Sequence, residues 1–296
     1  MGSISLSMDI SAFEKNYLHI PSPIIELFDP LWNEQNIRIF FKRDDLIHPT
    51  VSGNKWRKLK EYIRIAQDNP KKGIISFGGA YSNHLYALAY VGQMLPICCI
   101  GVIRGEELDS ESNPYLSQMK AMGMELRFID RENYRRKNIP DQFDLDDYWI
   151  IPEGGYSSHG IDGMKALVDE IQQFLAPDFL ISAVGTGTTI LGLAKYSNVN
   201  TLGVLCLNNE KEIEEHQHEL RLDLPKLHLT KDYIFGKYAS RPTELIEFCE
   251  TFENKHNIPI EPTYTGKMMY GVYDLLKKKY FPEGSTLVCI HTGGIK

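Results

Sequence analysis

The feature that most constrains this chain is an alternation repeated along its length. Short apolar, β-branched runs are separated by stretches with helical periodicity. The runs are "IRIFF" (37–41), "GIISF" (73–77), "ICCIGVI" (97–103), "ELRFI" (125–129), "YWII" (148–151), "FLISAV" (179–184), "TLGVLCL" (201–207) and "STLVCIH" (285–291). Strands alternating with helices predict a doubly wound α/β architecture with mostly parallel sheets. Several runs are apolar at every position, as strands covered on both faces are. The clearest helix is "SNPYLSQMKAMG": Ser112 or Asn113 can cap it, Pro114 suits its first turn and Gly123 its stop. "KEIEEHQHELR" (211–221) reads as a charged, exposed helix, and the polar stretch 130–147 as a surface excursion near a domain boundary.

Bulk properties narrow the function. A formal net charge of −7, from 32 Lys and Arg against 39 Asp and Glu, argues against nucleic-acid binding, whose footprint is basic. The five cysteines (98, 99, 206, 249 and 289) have no C-x-x-C spacing and most lie in apolar runs. They read as reduced core thiols of a cytoplasmic protein. The first residues lack a secretory pattern, and no apolar run approaches the ~18 to 20 residues that a membrane span needs. A metal site is not expected: His216 and His218 are two apart on a helix and face different ways.

In open α/β sheets ligands bind beyond the carboxyl ends of strands, so the strand-to-helix junctions matter most. In "FLISAVGTGTTILGLA", an apolar strand runs into Gly185, Thr186, Gly187, Thr188 and Thr189 and then an apolar helix. Glycines let a backbone approach a ligand, threonines add donors, and a helix start attracts anions, so this stretch reads as a phosphate cradle. It is no P-loop, because Gly-Lys-Ser/Thr is missing, and Ile190 spoils a dinucleotide fingerprint. In "ISFGGAYSNHLYALAYV", Ser82 and Asn83 open a helix, either as plain caps or as polar groups offered to a ligand.

The third junction, "VSGNKWRKLKEYI" (51–63), starts a helix with Lys55, Arg57, Lys58 and Lys60, where acidic residues are usual. A solvated charged face is one reading. The other is an activated amine: neighbouring cations and the helix dipole disfavour the ammonium form of Lys55, as Schiff-base chemistry requires. A phosphate cradle, an activatable lysine and polar helix starts together suit one cofactor, pyridoxal 5′-phosphate (PLP).

Six segments occur in order: "KRDDLIHPTVSGNKWRKLKEYI", "SFGGAYSNH", "PEGGYSSHGIDG", "AVGTGTTILGL", "EPTYTGKMMYGV" and "IHTGG". Through them the chain, from about residue 20 onward, resembles the 1-aminocyclopropane-1-carboxylate (ACC) deaminase and D-cysteine desulfhydrase family of PLP enzymes with the tryptophan-synthase β-subunit fold, fold type II. The resemblance implies two doubly wound, three-layer domains with the cofactor in the cleft: a large one from residues 1–45 and 156–296, and a smaller one inserted at 46–155. It implies a homodimer acting on a small amino acid. Lys55 would carry the cofactor, Asn83 would bond its ring hydroxyl, residues Gly185 to Thr189 would hold its phosphate, and Thr265 would face the pyridine nitrogen. Ser82 would lie near the substrate carboxylate or act as nucleophile. Tyr264 and Tyr238 would be the active-site tyrosines, Tyr238 by position more than by motif. His84 and His159 would orient substrate.

Family deaminases place glutamate where this chain has Thr265, and "SNQ" where it has "SNH". Both differences favour α-proton abstraction and β-elimination from D-cysteine, giving pyruvate, ammonia and sulfide. The alternatives are opening of the ACC ring to 2-oxobutyrate and ammonia, or a degenerate PLP- or nucleotide-binding protein. Tyr81 and Leu85 depart from the family pattern close to the expected substrate side.

Overall fold

Ten strands form among the described residues, and the eight apolar runs account for eight of them. They are β1 (Ile24–Leu27), β2 (Arg38–Lys42), β3 (Gly73–Gly78), β4 (Cys99–Arg104), β5 (Glu125–Ile129), β6 (Tyr148–Ile151), β7 (Phe179–Val184), β8 (Asn200–Leu205), β9 (Leu227–Thr230) and β10 (Thr286–Ile290). This computed structural model describes residues 8–139, 143–237 and 239–294. The two strands that the sequence did not announce, β1 and β9, end the larger sheet and are only partly buried. Strands of four half-covered residues carry no continuous apolar run for periodicity to find.

The chain divides into two compact units. One comprises residues 21–47, 52–54 and 161–294 and carries a sheet of order β1-β2-β10-β7-β8-β9. Here β1 runs antiparallel to β2 and the other pairings are parallel. Every residue of β7 is buried, so both faces of this sheet are covered, as its apolar sequence requires. Its core gathers Phe41, Ile181, Val204, Phe252, Met268 and Leu287, among others, with Cys206, Cys249 and Cys289 as small apolar fillers.

The other unit comprises residues 8–20, 48–51 and 55–160, with an all-parallel sheet of order β5-β4-β3-β6. Residues 8–20 fall in this unit, whereas the sequence reading put them in the large domain. The cause is the helix Ile10–Tyr17: Phe13 is fully buried with its ring 5.1 Å from Trp56, and Glu14 accepts from Trp56 Nε1 at 2.8 Å. Burying such a phenyl ring contributes about 1.5–3 kcal/mol. The described residues of the polar stretch 130–147 lie inside this unit rather than at a boundary, and contribute the helix Arg131–Arg135, capped by Asp130.

Local expectations met their physical reasons. Asn113 caps the helix Pro114–Ala121 by accepting from the N–H groups of Tyr115 and Leu116, and Gly123 has φ +92 after it. The helix Glu210–Glu219 is charged and anchored by buried Ile213. Cys98 corrects the cysteine reading: it is exposed, while the other four are buried, and all five are unpaired. No helix among the described residues is long and apolar enough to cross a membrane.

Candidate active site

The glycine loop belongs to the larger unit. Strand β7 ends at Val184, and the helix Thr188–Tyr196 begins after Gly187, whose φ of +87 lies in the left-handed region. A Cβ on Gly187 would sit 2.5 Å from Ile213 Cδ1, and one on Gly185 would sit 3.1 Å from the Tyr264 ring. The loop therefore has no room for side chains on these walls. Its carbonyl and hydroxyl groups are held from outside: Asn209 Nδ2 donates to Gly185 O at 2.7 Å, and Asn54 Nδ2 donates to Thr189 Oγ1 at 2.7 Å. Because Thr189 accepts from Asn54, its own proton can be given to a ligand. Thr186 and Thr188 hydroxyls lie 3.2 Å apart. The first N–H groups of the helix point where an anion would sit.

The helix Thr265–Lys277 starts in the same unit. The Glu261 carboxylate accepts from the N–H groups of Thr263 (2.6 Å), Tyr264 (2.9 Å) and Thr265 (2.8 Å), doing the work of a cap from four residues upstream. Thr265 is fully buried, and its Oγ1 has no hydrogen-bond partner among the described residues. Asn209 Oδ1 is likewise buried and unpartnered. By contrast Lys267, also fully buried, donates from Nζ to Ile234 O (2.7 Å) and Cys206 O (3.3 Å). Burial lowers its pKa, and those two carbonyls make it a tether. Tyr264 is half-buried, and Tyr238 lies outside the described residues.

The remaining candidates stand in the smaller unit. The cations of the helix Asn54–Asp68 are dispersed among separate surroundings. Arg57 is buried, Lys60 pairs with Glu14, and Lys58 Nζ donates to Gly154 O at 3.1 Å. Lys55 is half-buried. Lys58 is pushed down to about 7, first by burial and then by the Lys55 charge beside it. The expectation from sequence concerned Lys55; the lowering seen here is at its neighbour Lys58, with burial as the larger cause. Ser82 is the cap of the helix Asn83–Met94, with Oγ accepting from Leu85 N at 3.2 Å. Its proton stays available. Asn83 opens that helix, half-buried.

His84 is buried beneath them, its Nε2 3.0 Å from Ser76 Oγ. Its pKa is pushed down to about 3 by burial, then by Lys58 and Lys55. His159 is exposed and lays its ring edge-on to Tyr62, 5.3 Å away. The departures from the family pattern separate. Leu85 is fully buried, a core residue rather than one on the substrate side. Tyr81 is 68% exposed and meets Tyr115 at 5.6 Å. Asn54, Asn209, Glu261 and Ser76 were missed as contributors, since their partners lie far away in sequence or are backbone atoms.

The glycine loop and helix start of the larger unit offer N–H groups and threonine hydroxyls to an anion, and the smaller unit carries Lys55, a candidate carbonyl-binding amine. Residues 16–293 match the model of the pyridoxal-phosphate dependent enzyme family, and the chain belongs to that family. It is a PLP enzyme of fold type II. Among curated relatives, a Pyrococcus abyssi protein with a provisional ACC deaminase name is 28% identical, covering 92% of this chain and 88% of that one. The bifunctional D-cysteine desulfhydrase/ACC deaminase of Arabidopsis thaliana, a mitochondrial protein, is 26% identical (94% and 77%). The D-cysteine desulfhydrase of Salmonella typhi is 24% identical (93% and 92%). A solved structure of an ACC deaminase homologue matches with a TM-score of 0.77 at 26% identity, covering 96% of this chain and 94% of that one. The residues fit the cofactor: the loop ends in a helix start whose N–H groups and threonine hydroxyls suit a phosphate, and Thr265 Oγ1 is buried with no hydrogen-bond partner among the described residues. The nucleotide-binding reading falls with this match.

Proposed function

We propose that this chain is a D-cysteine desulfhydrase-type β-eliminase, converting D-cysteine and water to pyruvate, ammonia and hydrogen sulfide. When bound, PLP supplies an electron-withdrawing ring that stabilises negative charge at the substrate α-carbon. Lys55 would hold it covalently, and its Nζ would serve as the base that takes the substrate α-proton. Residues Gly185 to Thr189 hold the phosphate with backbone N–H groups and threonine hydroxyls. Asn83 bonds the ring hydroxyl. Ser82 offers its proton to the substrate carboxylate, since its lone pair already serves Leu85 N. Tyr264 lines the substrate side, and His159 belongs to the substrate-orienting group by resemblance alone. The working unit is a homodimer.

The observation that carries the choice of reaction is the buried, unpartnered hydroxyl of Thr265. A neutral hydroxyl at the pyridine nitrogen does not enforce its protonation as a carboxylate would, so the electron sink is shallower. A shallower sink suffices to expel hydrosulfide from a substrate with an α-proton. It is a poorer match to opening a cyclopropane that has none. The test offers D-cysteine and ACC separately to the PLP-loaded protein, assaying sulfide from the first and 2-oxobutyrate with ammonia from the second. Sulfide alone is expected. 2-Oxobutyrate from ACC would overturn the assignment in favour of ring opening.

A further inference from the structure

The hydrogen bonds around His84 settle which of its nitrogens carries the proton. Ser76, on β3, is fully buried and has one hydroxyl proton. That proton goes to Ile151 O on the neighbouring β6, at 2.8 Å. Toward His84 Nε2, 3.0 Å away, Ser76 Oγ can then only accept. The proton of the imidazole is therefore on Nε2, and Nδ1 is a bare acceptor. In the other tautomer Ser76 Oγ and Ile151 O would face each other at 2.8 Å with no proton between them.

Nδ1 has no partner among the described residues, although His84 is only 7% exposed. Protonation cannot turn it into a donor at neutral pH, because burial and the charges of Lys58 and Lys55 all oppose the imidazolium. Gly155 packs against the ring and against the Lys58 side chain. Gly155 has φ +74, and a Cβ there would sit 3.5 Å from His84 Cε1 and 3.2 Å from Lys58 Cβ.

We infer that His84 is a specificity-determining residue whose Nδ1 accepts a hydrogen bond from the β-hydroxyl or β-thiol of the substrate, not a group that donates to its carboxylate. The inference rests on the proposed function, since the substrate amine is committed to the cofactor and leaves the β-substituent as the donor. ACC carries no such β-donor. D-Serine and D-cysteine do.

Two measurements test it. The first is the imidazole 15N spectrum of histidine-labelled protein at pH 7, with His84→Gln identifying the resonances. The expected result is a protonated Nε2 and a bare Nδ1. A protonated Nδ1 overturns the inference whether or not cofactor is present. The second is the binding of D-serine and of D-alanine, which differ by one hydroxyl, followed by the visible spectrum of the holoenzyme. The wild type should prefer D-serine by about tenfold, the scale of one buried hydrogen bond left unmade. His84→Gln keeps a nitrogen near Ser76 but lacks an acceptor at Nδ1, and should lose the preference. His84→Asn places its carbonyl oxygen near the Nδ1 position and should retain most of it. An unchanged preference in His84→Gln overturns the inference while leaving the PLP assignment of Lys55 intact. A wild-type protein that gains no visible band with PLP overturns both.

Discussion

Two buried histidines share one tautomer and differ in what lies on the other nitrogen. His291 donates from Nε2 to Pro259 O at 2.8 Å, and its Nδ1 accepts from Gly293 N–H at 3.2 Å. Every polar valence of that ring is used within the chain. In doing so it shapes the turn at 291–294, where Thr292 O packs so closely on Gly53 that a Cβ there would lie 1.9 Å away. His84 is fixed through Nε2 in the same way, but its Nδ1 has no partner among the described residues. The difference separates polar groups that finish the fold from polar groups that the fold holds ready. Glu261, which serves three backbone N–H groups, and Lys267, which serves two carbonyls, belong with His291. Thr265 Oγ1 and Asn209 Oδ1 belong with His84.

If the division is sound, substitutions on one side should cost stability and on the other should cost function. The largest expected effect is functional. Lys55→Ala should abolish the visible band and all turnover, with the melting temperature within a few degrees of wild type. Turnover in that variant would break the mechanism. Next comes the finished side. His291→Ala removes two buried hydrogen bonds and should cost about 2–4 kcal/mol in denaturant unfolding. The folded fraction should keep its kcat, and a selective loss of kcat would move His291 to the other group.

Smaller effects sharpen the contrast. Thr265→Val removes a hydroxyl that no described residue satisfies, so stability should hold or rise by about 1 kcal/mol. Elimination should slow by about tenfold, the worth of one hydrogen bond to the ring (~1.4 kcal/mol). A stability loss in this variant would show that Thr265 Oγ1 has a structural partner. The smallest effect is a slope. Lys58 has a folded value of about 7, below the ordinary lysine range, through burial first and the Lys55 charge second. Between about 7 and the ordinary lysine value, the unfolded chain holds a proton that the folded chain lacks. Stability from this group therefore rises with pH across that window and is lowest below it. Lys58→Met should flatten that rise, seen as a melting-temperature gain at pH 6 that shrinks by pH 10. The lost bond to Gly154 O makes the gain modest.

What could be read from sequence follows from the range of the forces involved. Central strands announced themselves because β3 and β7 are buried at every position, and a run of apolar residues is the record of that. The loop from Gly185 to Thr189 was legible because strand, turn and helix start are contiguous. The edge strands β1 and β9 were not, being short and half-covered. The helix Ile10–Tyr17 has an apolar stripe, but nothing in the stripe names Trp56 as its partner. Asn54 and Thr189 are 135 residues apart, and only folding brings them to 2.7 Å. Leu85 looked like a substrate-side change because it follows Ser82 closely, yet helical spacing turns it into the core. An unfilled valence, as at Thr265 and His84, is a property of the whole packed surroundings and leaves no local pattern.

The central claim is that Lys55, and not its neighbour, carries the cofactor. Lys58 is a fair rival, since its depressed pKa leaves much of it as free amine near neutral pH. The decisive measurement is hydride reduction of the PLP-loaded protein, followed by proteolysis and mass mapping of the pyridoxyl group. The account predicts a single modified site at Lys55. A pyridoxyl group on Lys58, or none in the segment 54–60, would contradict it.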